Sequence, residues 1–279
     1  MLFPPNANPL RRLVFGFLAV TLFALFVSAK EAAADIQISG SSTIMPIVKA
    51  AGRAFFEKTG IRILVTGGGS SVGVREVLAG TSHIGMVSRT LHPDEAGRLN
   101  ANTIGHDGIA IIVNSTNPME RTTSPTVNQI FSGRIDRWEK IDEFTGEIIL
   151  VVKANGRSTR ELFDDFFGLK GVGVPSAHVI GSNAEGIVFV AGDPWAISYV
   201  SVGTAEKART RGVHIKLLEL DGVQASTSMI KQERYPLMRP LNLVTVGAPE
   251  LEERRFIDFL IGPEGQAIVE DQNFIRVTE

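Results

Sequence analysis

The sequence predicts an α/β protein, because short apolar runs of strand length alternate with amphipathic runs of helix length over most of its 279 residues. The strand-like runs include residues 35–38, 63–65, 84–87, 109–113, 148–152 and 196–200. Glycine- and serine-rich turns follow several of these runs directly. Alternation of this kind predicts mostly parallel sheets, whose ligands bind outside the carboxyl ends of the strands.

The first 34 residues have the pattern of a cleavable signal peptide. Arg11 and Arg12 precede an uncharged run over residues 13–27, and small residues follow it. The alternative is an uncleaved membrane anchor, but the run is shorter than the ~20 residues of a spanning helix. We therefore predict export to the periplasm.

Composition gives no indication of a nucleic-acid or membrane-surface partner. The chain has 28 basic and 30 acidic residues, and removal of residues 1–34 would leave 25 and 29, a net charge of −4. It has no cysteine, which excludes disulfides and a lipid anchor on cysteine. Five scattered histidines without metal-ligand spacing predict no metal site, and no cofactor motif is present.

Residues 66–89 (TGGGSSVGVREVLAGTSHIGMVSR) form the unit around which the other motifs are arranged. The order predicts a strand, a glycine-rich turn, a helix and a second strand. Ser70 and Ser71 stand where a helix N-cap belongs, and the second strand ends at Ser88 and Arg89. A helix N-terminus presents free amide donors, so this turn is suited to an anion.

Two further turns repeat the theme. Ser41, Ser42 and Thr43 follow the first strand, and Ser158 and Thr159 begin a later helix in which Ser158 and Glu161 have capping-box spacing. Elsewhere we expect a polar helix over residues 91–99, a linker over 114–125 and a capping box over 126–129.

Hydroxyls on three turns, together with Arg89, Asp107 and Arg157, predict a shared site for a tetrahedral oxyanion. The alternative for each turn is simple helix capping, since serine and threonine are common N-caps. Asp107 could accept the proton of a ligand such as hydrogen phosphate, which sulfate does not carry. Pairing of Asp107 with Arg89, or capping of a turn, is the other interpretation.

The segment Gly69-Ser70-Ser71-Val72-Gly73 also matches the G-x-S-x-G turn of α/β-hydrolases. Ser71 would then be a nucleophile, and only His178 and His214 suit the histidine of a distant triad. No oxyanion segment of the HGGG type precedes the motif. A secreted serine hydrolase is therefore the alternative to a binding protein that catalyses no reaction.

Taken together, the segments resemble the substrate-binding protein of the bacterial phosphate ABC transporter. The matching segments are residues 39–46 (SGSSTIMP), 69–80 (GSSVGVREVLAG), 84–89 (IGMVSR), 107–114 (DGIAIIVN), 129–138 (QIFSGRIDRW), 156–163 (GRSTRELF), 191–200 (AGDPWAISYV) and 262–266 (GPEGQ). They occur in the family's order and cover nearly all of the chain after the signal peptide.

The resemblance implies a two-lobed periplasmic binding protein of type II, with a hinge and the anion in the cleft between the lobes. We predict lobe 1 over residues 35–113 and 242–279, and lobe 2 over 114–241. The implied ligand residues are Ser42, Thr43, Ser70, Ser71, Ser88, Arg89, Asp107, Arg157, Ser158 and Thr159. The implied partners are inorganic phosphate or a similar oxyanion and an inner-membrane ABC permease, with the protein itself a monomer.

One departure from the family affects the predicted site. The family's usual Gly-Ser-Gly-Thr is here Gly156-Arg157-Ser158-Thr159, so that a compact residue is replaced by a long cation. Arg157 either binds the anion directly or points away from it. Lys153 also stands where the family commonly has arginine.

Overall fold

The computed structural model describes residues 35–141, 143–173 and 177–277. The predicted signal peptide, residues 1–34, lies outside the described residues. Within the described ranges, no helix combines the length and apolar character needed to cross a membrane.

Eleven strands and ten α-helices alternate along the described chain. The strands are β1 (Ile36–Gly40), β2 (Ile63–Gly67), β3 (Ile84–Val87), β4 (Leu99–Asn114), β5 (Arg121–Thr122), β6 (Ile149–Lys153), β7 (His178–Ile180), β8 (Ala196–Ser201), β9 (Ile215–Leu217), β10 (Glu219–Leu220) and β11 (Met238–Val246). The helices are α1 (Met45–Thr59), α2 (Ser70–Leu78), α3 (Pro93–Ala96), α4 (Ser124–Phe131), α5 (Ser158–Phe166), α6 (Asn183–Gly192), α7 (Val202–Thr210), α8 (Thr227–Lys231), α9 (Leu251–Ile261) and α10 (Pro263–Asp271). A 3₁₀ turn covers Trp138–Lys140.

Nine of the strands form one sheet, in the order β2-β1-β3-β11-β4-β8-β6-β7 with β9 also paired to β4. The pairs β1–β2, β1–β3, β6–β7 and β6–β8 are parallel, whereas the central pairs that involve β4 and β11 are antiparallel. Parallel strand-turn-helix units therefore lie at both ends of the strand order, as the α/β pattern predicts. β5 and β10 form a separate parallel pair.

Two large apolar cores lie in this sheet and its helices. The first core contains β1, β3, α1 and α9 side chains such as Ile38, Ile84 and Phe256. The second core is built from residues 109–237 and centres on Phe131, Phe163 and Tyr199. Strand β4 contributes Ile104 to the first core and Ile109 to Val113 to the second, so it passes from one core to the other.

Several local predictions are wrong in informative ways. The expected helix over residues 91–99 is only the single turn α3, because β4 begins at Leu99 and pairs with β11. The predicted linker contains β5, which pairs with β10. Helix α4 is capped by Thr123, whose hydroxyl accepts from the backbone N–H of Thr126, so the N-cap lies three residues earlier than predicted and the expected capping box over 126–129 is wrong.

Candidate functional site

Four serine side chains from separate turns meet in one buried group, here called the serine cluster (Ser41, Ser70, Ser88 and Ser158). Ser88 Oγ lies 2.8 Å from Ser41 Oγ and 2.6 Å from Ser158 Oγ. Ser70 Oγ donates to Ser158 Oγ at 3.0 Å and accepts from the backbone N–H of Ser88 at 3.1 Å. All four residues are buried. Three predicted turns therefore meet at one place.

A second buried group, here called the arginine group, consists of Arg239, Asp107, Thr43 and Thr159. Arg239 Nε and Nη2 donate to Asp107 Oδ2 at 3.1 and 2.8 Å. Arg239 Nη1 donates to Thr159 Oγ1 at 2.9 Å, and Nη2 donates to Thr43 Oγ1 at 3.2 Å. The charged side chains are 1% and 0% exposed, so the pair is fully withdrawn from water. Since residues 41–43 and 158–159 contribute to both groups, the arginine group adjoins the serine cluster.

Asp107 is held on its other side by the start of α7. Its Oδ1 accepts from Ser201 Oγ at 3.0 Å and from the backbone N–H of Gly203 at 3.3 Å. Four donors therefore occupy a carboxylate that offers about four lone-pair sites. The alternative that Asp107 pairs with Arg89 is wrong, because Arg239 is its partner. The bond of Asp107 to the Gly203 N–H lies at the start of α7, whose own N-cap is Ser201.

Asn183, the first residue of α6, connects these elements. Its Nδ2 donates to Thr43 Oγ1 at 3.2 Å, and its Oδ1 accepts from the backbone N–H of Ser201 at 3.3 Å. The amide therefore holds the first serine-rich turn against the starts of α6 and α7. Five helices of nine residues or more begin around the site, namely α1, α2, α5, α6 and α7. Their N-terminal ends make the surroundings favourable for negative charge.

Serine capping does not explain the hydroxyls at α2 and α5. Helix α2 begins after Gly69, not after Ser70 or Ser71, and no side chain caps it. Helix α5 begins after Arg157, again without a side-chain cap. The predicted capping box of Ser158 and Glu161 is wrong, because both side chains bind residues of other elements.

Gly69 allows the turns before α2 and α5 to touch. Its φ is +103°, and a Cβ there would lie 2.5 Å from the carbonyl oxygen of Gly156 and 2.8 Å from Arg157 Cδ. The backbone N–H of Ser71 also donates to the Gly156 carbonyl at 3.3 Å. A glycine is therefore required where these two turns pack together.

Two further basic side chains, Lys153 and Arg157, lie beside the arginine group. Lys153 is buried at the end of β6, and its Nζ donates to the carbonyl of Ser182. Burial, followed by the charge of Arg239, lowers the pKa of Lys153 to about 7. Arg157 is half-buried, and its guanidinium has no hydrogen-bond or ion-pair partner within the described ranges. The negative charge of Glu185 opposes the lowering of the Lys153 pKa.

Arg89 lies outside both groups. Its Nη1 and Nη2 donate to the two carboxylate oxygens of Glu95 at 2.6 and 2.8 Å, and Nε donates to Glu161 at 3.1 Å. Burial alone would lower the pKa of Arg89, but the bonds to Glu95 and the charge of Glu161 raise it overall. The side chain is thus directed to carboxylates, and the expectation that it contacts the anion has no support in this geometry.

Ser42 and Ser71 lie at the edge of the site. Both are half-buried, and neither hydroxyl has a hydrogen-bond partner in the described part of the chain. The hydrolase alternative also required a histidine beside Ser71. His178 packs on Phe189, and no described histidine, His214 included, donates to or accepts from Ser71. Among the described residues, no catalytic triad is assembled around Ser71.

Three site residues were missed by the sequence analysis, namely Arg239, Asn183 and Ser201, and Ser41 was named there only as part of its turn. A lone arginine within the apolar run Leu237–Leu241 was a signal of a buried charge that needs a partner. Asn183 and Ser201 gave only the ordinary signal of helix starts, which carries no information about a ligand.

Comparison with known proteins places the chain in a family. A model described as a PBP superfamily domain matches residues 27–264. The chain therefore belongs to the PBP superfamily. A curated relative, the phosphate-binding protein PstS of Bacillus subtilis, is 26% identical over 255 residues, which cover 90% of this chain and 83% of the relative.

Solved structures agree with this assignment. A phosphate ABC transporter substrate-binding protein with bound phosphate from Clostridium perfringens is 29% identical, with a TM-score of 0.81 over 88% of this chain and 100% of its own. An ABC-type phosphate transport receptor from Vibrio cholerae is 26% identical, with a TM-score of 0.72 over 87% of this chain and 100% of its own. The α/β fold is thus that of phosphate-binding members of the superfamily, and these relatives are not enzymes.

Proposed function

We propose that this protein captures inorganic phosphate, or a similar tetrahedral oxyanion, and delivers it to an ABC transporter permease. The observation that carries the proposal is the meeting of the serine cluster and the arginine group at five helix N-termini. A tetrahedral anion offers several acceptors, and hydroxyls, amides and a guanidinium are its natural donors. The phosphate-bound relative at 29% identity supports the choice of anion.

The donors that we assign to the anion come from both cores. Thr43, Ser70 and Ser88 are supplied by turns beside the first core, and Ser158 and Thr159 by the start of α5 beside the second core. Each charge-assisted hydrogen bond contributes about 1.5–3 kcal/mol. A few such bonds suffice for micromolar affinity, which corresponds to about −8 kcal/mol.

Charged residues take separate roles in this proposal. Arg239 supplies the buried positive charge, and Asp107 holds its guanidinium between Thr43 and Thr159. Arg157 adds a cation at the edge of the site, and its charge also acts on Glu185. Ser42 and Ser71 remain ligand candidates at that edge, whereas Arg89 is assigned to an ion-pair network.

We further propose that the two cores are the centres of two lobes joined by a hinge. The predicted bounds, residues 35–113 with 242–279 and residues 114–241, shift slightly, because Ile109 to Val113 lie in the second core and Leu241 lies in the first. Hinge closure around a ligand is the expected motion of such a protein. The signal peptide proposed over residues 1–34 would export the protein to the periplasm, where it would act as a monomer.

Calorimetric titration tests the proposal. Ligand-stripped, refolded protein without residues 1–34 is titrated with phosphate, arsenate, sulfate, molybdate and tungstate. We expect micromolar or tighter binding of phosphate and arsenate. Absence of heat with every anion, together with ester hydrolysis abolished by Ser71→Ala, would support the hydrolase instead.

A further inference from the structure

Glu161 connects elements that belong to different cores. It lies on α5, whose Phe163 is buried in the second core, whereas Arg89 and His92 follow β3, which lies in the first. Glu161 Oε2 accepts from Arg89 Nε at 3.1 Å, and Oε1 lies 2.5 Å from His92 Nε2. One carboxylate therefore contacts two cationic or potentially cationic groups across the boundary between the cores.

Arg89 is fixed in place for this contact. Glu95 binds its two terminal nitrogens in a bidentate pair, and the backbone N–H of His92 donates to the same carboxylate. The Arg89 side chain is 2% exposed, so its remaining Nε–H has to find a partner inside the protein. Glu161 is that partner and is itself only partly exposed.

The contact lies next to the serine cluster along both elements. Ser88 immediately precedes Arg89, and Ser158 lies three residues before Glu161 on the same face of α5. Ser88 Oγ and Ser158 Oγ are 2.6 Å apart. The contact between Glu161 and Arg89 therefore also keeps the hydroxyls of Ser88 and Ser158 side by side.

We propose that Glu161 is a positioning residue for anion capture. Its carboxylate binds Arg89 and His92 and thereby keeps the start of α5 against the end of β3, so that hydroxyls from both cores face the anion together. Glu161 does not touch the ligand. The inference rests on the proposed function, because it assigns Glu161 a part in retaining the bound anion.

Stopped-flow and calorimetric measurements of phosphate binding by Glu161→Gln test this inference. The amide keeps the shape of the side chain but removes its charge. We expect the dissociation rate of phosphate to rise about tenfold, the association rate to stay within twofold, and the phosphate-free melting temperature to match the control. Glu264→Gln is the matched control, because it removes an ion pair with Lys58 away from the site.

His92→Gln provides a second, milder variant, because its side chain is 46% exposed and tolerates replacement. It should raise the dissociation rate less than Glu161→Gln does, and the double variant should show no larger effect than Glu161→Gln alone. If both variants showed the same dissociation rate as Glu264→Gln, this inference would be overturned and the proposed function would still stand. A wild-type protein that does not bind phosphate would overturn the proposed function and this inference with it.

Discussion

At the scale of single residues, the site depends on a buried ion pair. Arg239 and Asp107 are both inaccessible to water, and each would be costly to bury without the other. The pairing also directs the guanidinium toward Thr43 and Thr159, where an anion would meet a preformed donor group. Because four donors already surround Asp107, a ligand proton has no free acceptor site on its carboxylate.

Asp107→Asn should therefore destabilise the protein without changing its choice of anion. Breaking a buried ion pair costs about 3–5 kcal/mol in the free energy of unfolding. We expect this loss in urea denaturation, while the ratio of phosphate to sulfate affinity stays within twofold. Asp258→Asn, an exposed change on α9, is the control. A ratio that falls about tenfold would instead assign Asp107 as the acceptor of a ligand proton.

Arg157→Ser tests the cation that is unusual for the family. The guanidinium makes no hydrogen bond or close ion pair in the described part of the chain, and Glu185 is the carboxylate on which its charge acts, so its donors are available to an anion. We expect the dissociation constant for phosphate to rise several-fold and its dependence on salt to weaken, because a nearby fixed charge is lost. Calorimetry at two salt concentrations measures both, with Arg53→Ser as an exposed control. Unchanged affinity would show that Arg157 points away.

Lys153 predicts a pH dependence of stability. Its pKa is about 7 in the folded protein, whereas an unfolded lysine titrates near ~10.4. The unfolded chain therefore binds more protons between these values, and this residue's contribution to stability is lost as the pH falls from about 10 to about 7. In urea denaturation at pH 7, 8 and 9, Lys153→Met should remove a slope of up to about 1.4 kcal/mol per pH unit. The exposed change Lys49→Met should leave the slope intact.

At the scale of elements, the close approach of two turns decides the geometry. Gly69 has φ +103° and no room for a Cβ against Gly156 and Arg157, whereas Gly80 has φ +69° with open space around it. A residue with a side chain would strain the backbone at both positions, but only at Gly69 would its Cβ also collide with the neighbouring turn.

Gly69→Ala should consequently weaken phosphate binding at least tenfold, because it separates the turns that carry Ser70 and Ser158. Gly80→Ala should cost only backbone strain, about 1 kcal/mol in the free energy of unfolding, with unchanged affinity. Calorimetry and urea denaturation separate the two effects. Equal affinity in both variants would contradict the role assigned to the turn contact.

Most strands and long helices were predictable from the sequence, because apolar periodicity and turn residues are local signals. β3 was predicted over residues 84–87 and is found there, and β8 was predicted over residues 196–200 and ends within one residue of that prediction. The segment 91–99 was mispredicted, because pairing of Leu99 and its neighbours with β11 overrides their local pattern.

The site was predictable only in part for the same reason. The serine-rich turns are recognisable locally, and the sheet brings them together as expected. The partners of charged residues are determined by the tertiary structure. Asp107 pairs with Arg239, which lies 132 residues away, and Arg89 pairs with Glu161, which lies 72 residues away. No spacing rule identifies pairs at such separations.

At the scale of the whole molecule, β4 and β11 connect the two cores through paired backbone. A hinge made of these two hydrogen-bonded strands allows the proposed lobes to rotate relative to each other while the pairing register of the strands stays fixed.

We expect saturating phosphate to lower the radius of gyration in small-angle X-ray scattering, since the lobes close on the anion. The Arg157→Ser variant, saturated with phosphate, should reach the same value. An unchanged radius on phosphate addition would argue against hinge closure.

The division of the cores along the chain also sets an order of assembly. The second core uses one continuous stretch, residues 109–237, and can form once that stretch is available. The first core combines Ile38 and Ile84 with Leu241 and Phe256 from the far end of the chain, so its nucleation requires closure of a long loop. We therefore expect the half that begins first in the sequence to be completed last in folding.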